Sequence, residues 1–160
     1  MMTRRFILAL PVGLLAAFGG CSSGSLPFPH KLIQAVLDGN KENYLRCHVQ
    51  KGDTTADGSS TLVVEPGGRA PDDAWVAEVG AAFEKDRAAI EGLRKERGSV
   101  AFAGIVKTAE EEKTPARRIW STQVLLQCGD TKYIAELGRS VETSRGRVLA
   151  GPPGLSIKKQ

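Results

Sequence analysis

The stretch RRIWSTQVLLQC, Arg117–Cys128, decides the fold. Trp120, Thr122, Val124, Leu126 and Cys128 recur at every second position, and Ser121, Gln123 and Gln127 fill alternate ones. A period of two puts the first set on one face of a strand and the second on the other, as in an antiparallel strand with one face buried and one wet. Gly129-Asp130 follows as a hairpin turn. KYIAELGRSVE forms the return strand, SRGR turns the chain again, and RVLAG gives a last short strand before the tail PPGLSIKKQ. Upstream, SVAFAGIVK, Ser99–Lys107, is a further strand, joined to the first through the polar TAEEEKTPA.

Before these strands the period is helical. In HKLIQAVLDGN, Leu32, Ile33, Val36 and Leu37 form one apolar stripe, and Gly39 stands where a helix stops. Asn40 caps a second short helix, KENYLRCHV, that turns Tyr44, Leu45 and Cys47 inward. Gln50–Ser60 has turn composition throughout and reads as a mobile loop, and TLVVE after it as a short strand broken by PGGRAP. A long helix follows, with Pro71 near its first turn and Asp72 and Asp73 where the helix dipole favours acids, and ends at Gly98. Trp75, Val76, Val79, Phe83, Ile90 and Leu93 recur along it at helical spacing.

Helices first and a meander of strands last is the α+β arrangement, with N-terminal helices packed on a late antiparallel sheet of three to four strands. Residues 30–160 read as one such domain. The phrase LIQAVLDGNKENYL, the long helix and the late strands resemble, in element order, the nuclear-transport-factor-2-like, cystatin-like roll. That resemblance implies a curved sheet wrapped around a long helix, with a cone-shaped cavity lined by Trp75, Val79, Phe83, Trp120, Val124 and Leu126. The same residues are what an ordinary packed core requires.

The N-terminus carries an address. MMTRR is followed by the apolar run Phe6–Phe18, shorter than the roughly 20 residues of a membrane-spanning helix, so residues 1–20 read as a signal peptide. Gly19 and Gly20 lead into Cys21 and the loose SSGS, which resembles the lipobox of bacterial lipoproteins, although Phe18 stands where an aliphatic residue is usual. The resemblance implies cleavage before Cys21, acyl chains on Cys21, and residues 21–29 as a lipidated flexible tether. Two or more acyl chains hold a protein on a membrane where one does not. Ser22 lacks the acid that retains lipoproteins in the inner membrane under the Gram-negative sorting rule, which implies an outer-membrane location facing the periplasm.

Cys47 and Cys128 remain after Cys21, and an even pair in an exported domain is expected to form a disulfide. No C-x-x-C and no further ligands stand near them to suggest a metal, and no cofactor is expected. With only His30 and His48 in the chain, and no G-x-S-x-G, H-E-x-x-H or phosphate loop, the expectation is a non-catalytic protein. Glu110, Glu111 and Glu112 are consecutive and cannot converge on one cation, so they read as a solvated hairpin end. Charge is unevenly shared: from Cys21 to Lys113 there are 12 basic and 15 acidic residues, and from Thr114 onward 8 and 3. Arg117, Arg118, Arg139, Arg145 and Arg147 are therefore the candidate basic surface for an envelope protein or an anionic envelope polymer, with no nucleic acid expected. The alternative reading of the same domain is a small-ligand carrier using its apolar cavity.

Overall fold

The computed structural model describes residues 26–59, 71–113, 118–151 and 154–160. The signal segment, Cys21, the TLVVE segment and Arg117 lie outside these. Two short helices, α1 (Phe28–Leu37) and α2 (Lys41–Arg46), precede the long α3 (Asp73–Arg97). Five strands follow: β1 (Val100–Lys113), β2 (Arg118–Cys128), β3 (Thr131–Thr143), β4 (Gly146–Leu149) and β5 (Ser156–Lys159). The fold is α+β, with an open antiparallel sheet in the order β1-β2-β3-β4 and β5 paired to the other half of β3.

Local chemistry sets the helix ends. Pro29 fits the first turn of α1, where the missing N–H costs nothing. Asn40 accepts from the Asn43 N–H at 3.0 Å to start α2, and Asp72 accepts from the Trp75 N–H at 2.8 Å to start α3. Arg94, Lys95 and Arg97 fill the last turn of α3, where cations suit the dipole, and Gly98 closes it at a φ of 87°. Leu32, Ile33, Val36 and Leu37 of α1 and Trp75, Val79, Phe83 and Ile90 of α3 are buried together against Val124, Leu126, Ala135 and Leu137 of the sheet. Fully burying side chains of this size stabilises by about 1.5–3 kcal/mol each.

The sheet departs from the sequence reading in two places. β1 runs through the acidic segment to Lys113, because its carboxylates meet cations across the ladder: Glu110 pairs with Arg118 at 2.7 Å and Glu111 with Arg139 at 3.0 Å. SIKK of the tail is also a strand, with Ile157 opposite Ala135. The segment read as a mobile loop is fastened as well. Thr55 bridges Thr143, and Asp53, its side chain 5% exposed, grips Arg145 with both oxygens at 2.5 and 2.6 Å.

The expected disulfide is absent: Cys47 and Cys128 are free, buried thiols. The register explains why. The Cys47 carbonyl accepts from the Leu149 N–H, Leu149 lies opposite Ser140, and Ser140 lies opposite Trp120. Cys128 sits eight residues further along β2, roughly 26 Å of strand. A disulfide needs its Cα atoms within about 7 Å.

Candidate functional site

Of the residues expected to line a cavity, Phe83, Val124 and Leu126 lie in the packed core, while Trp75 and Val79 belong to that core and also border a surface groove. Trp75, Val79, Phe83, Val124 and Leu126 pack against one another in the core, each 1% exposed or less. A cleft of about 920 Å³ lies toward the other end of β2, between α1, α2 and the sheet. Phe28, Ala35, Ile105 and Val148 give it apolar wall, while Lys31, Arg145 and Arg147 bring cations and Asp38 and Glu142 bring acids. Ile105 reaches the cleft because β1 changes register between Phe102 and Gly104 and again between Ile105 and Lys107, and it stays 49% exposed.

Trp120 is buried beside this cleft, behind Arg147. Its ring carries the Arg147 guanidinium at 4.0 Å and that of Arg118 at 4.8 Å from the ring centroid. Burial lowers the Arg147 pKa, while hydrogen bonding to Arg118 holds the Glu110 carboxyl below its ordinary value. Cation–aromatic contacts of this kind are worth roughly 0.5–2 kcal/mol, depending on desolvation.

Of the late arginines that the sequence suggested as a basic face, Arg118, Arg139 and Arg145 are engaged by acids, and Arg117 lies outside the described residues. Arg118 pairs with Glu110 and approaches Glu142 at 3.5 Å, Arg139 pairs with Glu111, and Arg145 is clamped on Asp53. Arg118 and Arg139 meet acids of β1 and β3, while Arg145 meets Asp53 of the segment between α2 and α3. Arg147, stacked on Trp120 and part of the cleft lining, makes no ion pair among the described residues, although Glu142 lies opposite it in the β3–β4 ladder.

Neither histidine is placed for nucleophile activation by an acid. His30 stacks on Phe102, with centroids 4.4 Å apart and planes at 12°. His48 is 1% exposed and its Nδ1 lies 2.9 Å from the Tyr44 carbonyl oxygen. Burial lowers its pKa to about 4, so the ring is neutral near pH 7. Cys47 borders the cleft, but burial pushes its thiol up to about 11, away from the reactive thiolate. Among the described residues no three His, Cys, Asp or Glu side chains come together to hold a metal ion, and no helix is long and apolar enough to cross a membrane.

Sequence reasoning missed Asp86. It lies on the buried stripe of α3 between Phe83 and Ile90, where its spacing could have revealed it, and it is 1% exposed. Its Oδ2 accepts from the Tyr44 hydroxyl at 2.7 Å and its Oδ1 from the Leu155 N–H at 2.6 Å. The chain matches no protein-family model, and no curated protein or solved structure is detectably similar to it.

Proposed function

We propose that this chain is an exported lipoprotein, anchored through acyl chains on Cys21 in the bacterial envelope, and that it acts as a non-catalytic binding module. The observation that carries the binding half is the cleft between α1, α2 and the sheet, whose volume of about 920 Å³ lies within the range of small-ligand sites. Its mixture of apolar wall and a desolvated Arg147, without an ion pair among the described residues, suits a small molecule with an apolar body and a negative group. A broad docking face for an acidic polymer is less favoured, since Arg118, Arg139 and Arg145 are already engaged by carboxylates. The anchoring half rests on the apolar run, Gly19-Gly20 and Cys21 of the sequence.

The test is to express the full-length chain in a Gram-negative host and record the intact mass of the membrane-fraction protein under denaturing and native conditions. The expected result is residues Cys21–Gln160 plus acyl groups, with an additional bound mass under native conditions that Arg147→Glu removes. A soluble product without acyl groups would end the anchoring half. Identical native spectra for wild type and Arg147→Glu would end the cleft half.

A further inference from the structure

A second groove, separate from the cleft, runs between α2 and the first turns of α3, with a volume of about 580 Å³. Leu45, Trp75, Val76 and Val79 give it an apolar lining, and Val76 is 52% exposed there. Trp75 already donates its Nε1–H to the Val49 carbonyl at 3.0 Å, so its ring offers only apolar surface. Lys51 stands on the lining with two acids, Asp72 and Asp73, of which Asp72 is engaged by the Trp75 N–H that it caps, so the lining offers no surplus cation to an anion.

His48 also lines this groove, and its Nε2 is the one buried side-chain nitrogen or oxygen among the described residues that has no hydrogen-bond partner. The tautomer follows from geometry. A carbonyl oxygen only accepts, so the 2.9 Å contact with Tyr44 places the hydrogen on Nδ1 and leaves Nε2 a bare acceptor. The Tyr44 ring, tilted against the imidazole at 4.7 Å, fixes the orientation. Buried polar atoms are almost always paired, so an isolated exception calls for a partner beyond the described residues. A metal ion does not fit, because a lone imidazole lacks the further ligands such an ion needs and no such cluster exists among the described residues.

We infer that the groove between α2 and α3 binds a neutral, mainly apolar small molecule that donates a single hydroxyl hydrogen bond to His48 Nε2. The hydroxyl supplies the donor that the imidazole lacks, and the apolar body covers Val76, Val79 and the Trp75 ring. This site is independent of the cleft and of the membrane anchor.

The experiment uses the intact protein labelled with 15N and two probes of the same shape, 2-phenylethanol and ethylbenzene. The imidazole nitrogens of both histidines are followed by long-range proton–nitrogen NMR, with His30 as internal control. The expected result is that 2-phenylethanol moves the His48 Nε2 resonance, leaves His30 unmoved, and binds roughly three- to tenfold tighter than ethylbenzene. His48→Phe should abolish that preference. Equal affinity for the two probes, or an Nε2 resonance already that of a hydrogen-bonded acceptor before any probe is added, would overturn the inference, the latter by making water the partner. If His48→Phe does not fold, the two-probe comparison on the unaltered protein still decides.

Discussion

The Tyr44 hydroxyl donates to the Asp86 carboxylate across 2.7 Å, joining α2 to α3 inside the core. The second carboxylate oxygen takes the Leu155 N–H at 2.6 Å, so one buried acid fastens two helices and the segment leading into β5. Burial raises both pKa values, and the carboxylate is tolerated because each of its oxygens has a donor.

Tyr44→Phe should therefore cost about 1–3 kcal/mol in urea unfolding, the usual penalty for stripping one partner from a buried polar group. Asp86→Ala should cost more, because it frees the Tyr44 hydroxyl and the Leu155 N–H together. The double variant should be less destabilised than the sum of the two. Additive effects would mean that the contact does not hold the helices together.

Acid should unfold the protein partly through His48. Its folded pKa, about 4, lies below the ordinary 6.5, so the unfolded state takes the proton first. The stability contributed is complete above pH 6.5 and is lost as pH falls toward 4, by about 3 kcal/mol in all. Asp86 acts in the opposite sense: its raised folded pKa gives a contribution present below the ordinary carboxyl range and lost as pH rises through the folded value. Comparing His48→Phe with wild type at each pH isolates the histidine. The variant should lose less stability than wild type between pH 7 and pH 4, and parallel curves would refute the assignment.

The two core cysteines should behave as hydrophobic residues. Cys47 is 8% exposed and Cys128 fully buried, and burial raises both thiols. Ellman's reagent should label neither in the folded protein and both in denaturant, and reduction should leave the intact mass unchanged. A gain of two hydrogens on reduction would contradict the free thiols seen here.

Much of this architecture was legible because local signals agreed with the global fold. Asp72, the 3.6-residue spacing from Trp75 to Ile90 and Gly98 together bracket α3 without any knowledge of its neighbours. Trp120 to Cys128 likewise alternates on its own. What stayed hidden depends on register. SIKK becomes a strand only because Tyr133–Glu136 is unpaired on that side, and the acids of β1 are neutralised only once Glu110 faces Trp120 beside Arg118. The cleft arises from where α1 and α2 meet the sheet, and the orphaned His48 nitrogen from the fold of the chain just after α2, and neither is written in spacing.

β1 bears on the company the protein keeps. It lies at the margin of the sheet among the described residues, fourteen residues long with Ile105 and Val106 about half exposed, the kind of border another chain could copy onto itself. Its ladder shifts register at three places, however, and the longest unbroken run is the four residues Lys107–Glu110. Strands in globular proteins most often span about five or six residues. The same interruptions that tilt Ile105 into the cleft thus leave self-assembly only a short template.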